Sequence, residues 1–127
     1  MKKILFMGII ISILTFLGCK SKEEKFLENN KVLFCKTEEF ESFIKKSRVT
    51  PEKAWDLMVE YTEKENVQQP HLFYFIIDGH YVFTNYVHLK IPDAYTGGIW
   101  VNSENGKVKE VKDGVFIKAY YKYDWNK

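Results

Sequence analysis

Histidines are the first candidates for chemistry in this chain, because imidazole acts both as a general base and as a metal ligand. In a hairpin turning at Asp78-Gly79, His71 and His88 fall on one face as diagonal neighbours, roughly 7–8 Å apart, whereas His80 lies at the hairpin tip. Zinc takes three or four ligands, and no cysteine or carboxylate is expected beside this pair. The sequence therefore predicts neither a metal site nor a cofactor.

Catalytic motifs are not recognisable in the sequence. There is no nucleophile elbow, no glycine-rich phosphate loop and no cysteine near a plausible base. We interpret Cys35 as a small buried apolar residue, although a reactive or intermolecular thiol is the alternative and would need an exposed, electropositive setting. We expect a protein that is not an enzyme.

Aromatic residues are the remaining candidates for a binding function, since they make up 17% of the chain. Trp100, Trp125 and the run Tyr120–Tyr123 have rings that stack on saccharides or anchor protein interfaces. The simpler interpretation is that alternate strand residues fill the core while outward tyrosines cover the sheet. Trp125, which follows the last expected strand, is the best candidate for an exposed anchor.

Two helices are predicted ahead of the strands. The first covers residues 37–46, and the second has Thr50 as N-cap and Pro51 at its first position, and ends by Asn66 and Pro70. Helical spacing places these apolar residues on the inward stripes: Phe40, Phe43, Ile44, Ala54, Leu57, Met58 and Tyr61.

From residue 71 onward the apolar period is two, which predicts strands. Asp78-Gly79 is typical of a type I′ hairpin turn, and Asn105-Gly106 and Asp113-Gly114 predict two further turns. The five expected strands are 71–77, 80–91, 99–102, 107–111 and 115–123. We therefore expect an α+β fold in which two short helices pack on a largely antiparallel sheet of about five strands.

The first hairpin has two faces, assigned by pairing Ile77 with His80 and continuing outward without a bulge. The face expected in the core holds Leu72, Tyr74, Ile76, Tyr81, Phe83, Val87 and Leu89. The other face holds Phe73, Phe75, Ile77, His80, Val82, Thr84, Tyr86 and His88. An apolar face of this kind is often half covered by a partner, a second protomer or the chain's own tail. The candidate binding residues are accordingly Phe73, Phe75, Tyr86, His88, Trp100 and Trp125.

The amino terminus has two lysines, an apolar run over residues 4–17, and then Gly18-Cys19. The run is too short to stay as a membrane helix and is typical of a secretory signal. With its cysteine it resembles a bacterial lipoprotein signal, which implies cleavage before Cys19, lipid on that cysteine and a cell-envelope address. Lys20 in place of an aspartate implies, by the same resemblance, the outer membrane. A Cys19–Cys35 disulfide is the alternative if Cys19 is not acylated.

The expected organisation is a signal peptide over 1–18, a solvated tether over 19–31 and one domain over 32–127. Removal of residues 1–18 leaves 109 residues with 17 basic and 17 acidic side chains. That length suits one compact domain. Balanced charge gives no reason to expect a nucleic-acid partner.

A second resemblance rests on residues 96–111, TGGIWVNSENGKVKEV, and on the Thr50-Pro51-Glu52-Lys53-Ala54 helix start. This combination resembles PepSY-like domains and small NTF2-fold immunity proteins over about residues 50–112. The resemblance implies a PepSY-, NTF2- or cystatin-like arrangement that binds another protein as an inhibitor or immunity protein. Our leading hypothesis is a lipid-anchored, non-catalytic protein-binding module of undetermined oligomeric state. The alternative is a ligand- or glycan-binding lipoprotein that uses exposed Trp and Tyr.

Overall fold

The computed structural model describes residues 20–85 and 91–126. Three helices are present among them: α1 (Lys22–Asn29), α2 (Glu38–Lys46) and α3 (Pro51–Glu65). The strands are β1 (Val32–Phe34), β2 (Leu72–Ile77), β3 (His80–Thr84), β4 (Asp93–Tyr95), β5 (Gly98–Asn102), β6 (Val108–Val111) and β7 (Phe116–Lys118). The expected α+β class is confirmed.

The main sheet has five antiparallel strands in the order β1-β2-β3-β5-β6, and β4 pairs with β7 in a separate two-stranded sheet. The fifth strand was wrongly assigned by sequence pattern. It is β1, whereas the expected strand 115–123 contributes only β7 and does not join the main sheet.

Both predicted helices are present, and their caps explain where they begin. The Thr37 hydroxyl accepts from the Phe40 N–H at 3.3 Å, and the Thr50 hydroxyl accepts from the Lys53 N–H at 3.1 Å. Each satisfies one backbone donor that a helix start leaves without an intrahelical partner. Asn66 ends α3 in the left-handed conformation, with φ 54°.

The segment expected to be a solvated tether contains a helix. Ser21 caps α1 by accepting from the Glu24 N–H, and Phe26 on this helix packs against the sheet. The Lys118 N–H donates to the Glu23 carboxylate at 2.7 Å, which ties α1 to β7. One aromatic side chain is too weak a periodic signal to reveal such a helix from sequence.

The sheet has an apolar core on each face. We call the first the helix-side core; its buried members are Leu33, Cys35, Phe40, Val49, Ala54, Met58, Phe73, Ile76, Tyr81, Phe83, Ile99 and Val101. We call the second the tail-side core; its buried members are Phe75, Ile77, Val82, Ala94, Trp100, Ile117 and Ala119. Among the described residues, α2 and α3 cover the first, while α1, β4 and β7 cover the second.

A bulge in the first hairpin corrects the expected faces. Ile77 pairs with His80 as predicted, but the register shifts between Phe73 and Ile76, so that Phe73 pairs with Phe83. Because a shift of one residue moves a side chain to the other face, Phe73 lies in the helix-side core instead of beside Phe75. The same shift places Tyr74, which was expected in the first core, against the tail-side core.

The turn chemistry of the sequence is otherwise well reproduced. Asp78 and Gly79 both have positive φ, 48° and 75°, as a type I′ turn requires. After β6, however, Asp113-Gly114 does not return the chain into the sheet. The Gly114 N–H donates to the Tyr95 hydroxyl at 2.9 Å, and the Val115 N–H donates to the Thr96 hydroxyl at 2.8 Å, which directs β7 to β4.

Candidate functional site

Three of the six candidate binding residues lie inside the protein. Phe73, Phe75 and Trp100 are 2%, 0% and 8% exposed. The Trp100 indole N–H donates to the Thr96 carbonyl at 2.9 Å, as a buried indole requires. These rings build the two cores, so the expectation that they form a binding surface is corrected.

Trp125 lies at the surface but is not isolated. It is 40% exposed, and its ring lies 4.7 Å from that of Tyr123 and 5.7 Å from that of Trp55. Phe73 lies behind them, with its centroid 6.1 Å from Trp125. Trp125 therefore closes the edge of the helix-side core and leaves one part of its ring in solvent.

The remaining candidates cannot be placed. Tyr86, His88 and Cys19 lie outside the described residues. His71 is exposed, and the His80 ring lies against Trp100 with centroids 5.5 Å apart. Cys35 is 4% exposed in the helix-side core, in agreement with its interpretation as a small buried apolar residue.

Within residues 20–85 and 91–126, no group of three or more His, Cys, Asp or Glu side chains is placed to hold a metal ion. No helix in the same ranges has the length and apolar character needed to cross a bilayer.

The most exposed aromatic pair of the described chain lies just after β7. Tyr120 and Tyr121 are 70% and 55% exposed and line a groove of about 270 Å³ together with Phe34, Lys36 and Lys118. We call these five residues the tyrosine surface. The buried Cys35 and exposed Thr37 complete the lining of the groove.

The chain path explains why these two tyrosines are exposed. Ala119 belongs to the tail-side core, whereas Tyr123 packs against the helix-side core and donates its N–H to the Phe73 carbonyl at 2.8 Å. Residues 120–122 therefore pass over the sheet edge from one face to the other. Phe34, the last residue of the edge strand β1, lies beneath this crossing.

The charge and backbone of the tyrosine surface are distinctive. Both charged residues that line the groove, Lys36 and Lys118, are basic, and the Lys36 ammonium lies 4.6 Å from the Tyr121 ring centroid. Lys36 also has φ 68°, which is uncommon for a residue with a side chain. The exposed tyrosine rings offer apolar contact to a partner, and the two lysines attract an acidic group.

Tyr120 and Tyr121 were identified from sequence as possible binding residues, but the residues that surround them in the groove were not. Lys36 and Phe34 reach the groove because β1 pairs with β2, a contact between segments about forty residues apart that leaves no local pattern. No strand was predicted from sequence at residues 32–34.

Comparison of the chain with known proteins finds no match. No family model matches the chain, and no curated protein or solved structure shows significant similarity to it.

Proposed function

We propose that this chain is a lipid-anchored bacterial envelope protein whose domain binds another protein without catalysing a reaction. The observation that carries the binding proposal is the tyrosine surface, with two adjacent, largely exposed tyrosines beside two lysines. Tyrosine is enriched at protein interfaces, where its ring packs against the partner and leaves water. The resemblance to PepSY-like domains and NTF2-fold immunity proteins supports an inhibitor- or immunity-like role.

Anchoring through Cys19 is supported by the signal-like residues 1–18. The helix α1 begins at Lys22, three residues after Cys19, and packs on the domain through Phe26. A lipid on Cys19 would therefore hold the folded domain close to the membrane surface instead of at the end of a flexible tether over residues 19–31. We place the protein in the cell envelope, at the outer membrane.

The chemistry of the partner follows from the charges of the groove. Lys36 and Lys118 attract carboxylates, and the rings of Tyr120 and Tyr121 accept an apolar neighbour. We propose a protein segment that carries acidic and apolar residues. Binding through exposed charges weakens with added salt, because charge pairs are screened over about 8–10 Å at physiological ionic strength.

Quantitative cross-linking in intact cells tests this proposal. We expect Tyr121→Ala and Lys118→Glu each to reduce the yield of one stoichiometric cross-linked partner by about tenfold or more. The matched controls are Phe116→Ala, at a residue 40% exposed beside Tyr95, and Lys107→Glu, in the turn before β6. Equal yields from all four variants would remove the support for this surface.

A saccharide titration separates this role from glycan binding. Trp100 is buried, and Trp125 is partly exposed, so a glycan stacked on Trp125 would change tryptophan fluorescence. A protein-binding surface predicts no response to a saccharide panel in the full-length chain.

A further inference from the structure

The two-stranded sheet of β4 and β7 has one face in the tail-side core and one face toward solvent. Along β7 and the two residues after it, Ile117 and Ala119 are buried, whereas Phe116, Lys118 and Tyr120 alternate with them and are exposed. Successive side chains of an extended strand point to opposite faces. The three exposed side chains therefore share the face that is turned away from the core.

Pairing with β4 extends this exposed surface. The Ala119 N–H donates to the Pro92 carbonyl at 2.9 Å, which continues the register of the two strands by one pair and places Ile91 opposite Tyr120. Ile91 and Tyr120 are 88% and 70% exposed. We call this surface the outer face; its residues are Ile91, Asp93, Tyr95, Phe116, Lys118 and Tyr120.

The outer face is mainly apolar and aromatic. Tyr95 pairs with Phe116 across the strands, and their ring centroids lie 4.9 Å apart. Of the six residues only Asp93 and Lys118 are charged, and they are opposite in sign and paired in register. Contiguous exposed apolar residues, unlike single ones, mark an interaction site. Because its two charges offset each other, the outer face suits a partner surface that is apolar and close to neutral.

The proposed lipid anchor lies beside the outer face. The helix α1 lies next to β7, where the Glu23 carboxylate accepts from the Lys118 N–H at 2.7 Å. Ser21, the N-cap of α1, follows Cys19 by two residues, and two residues of chain reach at most about 7 Å. A lipid on Cys19 would therefore bring a bilayer within reach of the outer face.

A bilayer that already holds the chain is a favoured partner for such a face. Because the anchor keeps the lipid at a high effective concentration, further contact with it costs little association entropy. The amphipathic ring of tyrosine is enriched at membrane–water interfaces, where its apolar body and its hydroxyl each find a suitable environment. Isoleucine and phenylalanine gain from the same contact by leaving water.

We propose that the outer face rests on the lipid surface to which Cys19 anchors the chain, with Ile91, Phe116 and Tyr120 at the level of the headgroups. This orientation rests on the proposed lipid anchor and adds to it, because a lipid fixes how far the domain is from the membrane but not which face is turned to it. Tyr120 also belongs to the tyrosine surface, so a protein partner bound there lies next to the membrane.

Spin-label accessibility in lipid vesicles tests the orientation. The lipidated chain, carrying Phe116→Cys or Ile91→Cys, is labelled with a nitroxide and reconstituted into vesicles of phosphatidylethanolamine and phosphatidylglycerol. Cys35 is buried and Cys19 carries the lipid, so neither competes for the label. The control label is at Lys107→Cys, in the turn before β6 at the other edge of the main sheet. We expect the ratio of oxygen to water-soluble nickel-chelate collisions to be several-fold higher at both outer-face labels than at the control.

Flotation of the same vesicles on a density gradient separates this orientation from the anchor. A protein that does not float with the vesicles would show that the lipid anchor is wrong, and the orientation with it. A protein that floats, with its Phe116→Cys label as open to the nickel chelate as the Lys107→Cys label, would overturn the orientation alone. A label at Phe116→Cys that is shielded from both oxygen and the chelate would overturn it as well, because the outer face would then be covered within the protein.

Discussion

Tyr81 joins the helical layer to the sheet through a single buried hydroxyl. It is fully buried, and its Oη donates to the Val49 carbonyl at 2.6 Å in the turn between α2 and α3. Burial is the main cause that raises the pKa of Tyr81 above its ordinary value, and the Ser47 hydroxyl partly offsets it. The ring and hydroxyl together fix the turn against the sheet.

Replacement of this hydroxyl should therefore destabilise the fold. For Tyr81→Phe we expect a loss of about 1–2 kcal/mol in the free energy of unfolding, because the buried Val49 carbonyl loses its donor. Urea denaturation at pH 7 measures it. Tyr120→Phe, at a tyrosine 70% exposed, is the control and should be neutral. Equal effects of the two substitutions would show that the hydroxyl of Tyr81 contributes nothing.

Tyr123 makes stability sensitive to alkaline pH. Burial, followed by the negative charges of Glu52 and Glu41, raises the pKa of Tyr123 to about 12. In the unfolded chain a tyrosine has a pKa of about 10, so it ionises there first. Its contribution to stability is complete below about pH 10 and is lost as the pH rises toward 12.

Thermal unfolding between pH 8 and 12 tests this sign. We expect the melting temperature of the wild type to fall above pH 10, and Tyr123→Phe to fall less over the same range, with the remainder due partly to Tyr81. Tyr120→Phe, which lies outside both cores, should follow the wild type. A steeper fall for Tyr123→Phe than for the wild type would contradict the assignment.

The helix α1 is a part of the fold that the sequence pattern did not reveal. Phe26 packs against the tail-side core, and Glu23 accepts from the β7 backbone. Phe26→Ala should reduce the free energy of unfolding by about 1–2 kcal/mol, since burial of a large apolar side chain contributes about that amount. Urea denaturation measures it, with Leu27→Ala, at a residue 41% exposed on the same helix, as the control.

Two outcomes distinguish a docked helix from a tether. If Phe26→Ala destabilises the protein and Leu27→Ala does not, α1 is docked through one face. If neither substitution matters, residues 22–29 do not contribute to the fold, and a lipid on Cys19 would act through a free linker.

Helix starts and tight turns were predicted well from sequence, because they depend on residues that are close together in the chain. Thr50-Pro51 marks the start of α3, and Asp78-Gly79 marks the hairpin, because a cap and a type I′ turn require these residue types. The bulge at Tyr74 and Phe75 has no such signal. It follows from packing of Phe73 against Phe40, Tyr81 and Phe83, which only the assembled core determines.

The main sheet is covered on both faces by its own chain. The sequence predicted a second apolar face that is half covered. It did not decide whether a partner, a second protomer or the chain's own tail covers this face. Because β7 pairs with β4, Ile117 and Ala119 reach the tail-side core. The pairing of β4 with β7 joins residues that are distant in the sequence and depends on the turns between them. The alternation in residues 115–123 could therefore predict a strand, but not which sheet the strand joins.

The two edges of the main sheet differ in a way that favours binding at one of them. The strand β6 carries Lys109 and Glu110, and charges of this kind discourage pairing with another chain. The strand β1 is three residues long and is followed by the groove of the tyrosine surface. The candidate site could not be read from sequence, because its residues come from β1 and the C-terminal segment.

Intact-mass spectrometry of the protein from the cell that produces it tests whether Cys19 carries a lipid. We predict a membrane-bound product that lacks residues 1–18 and carries acyl chains on an amino-terminal Cys19, and a Cys19→Ala variant that leaves the membrane fraction or stays uncleaved. A soluble protein with residues 1–18 intact and Cys19 unmodified would contradict the proposed lipid anchor.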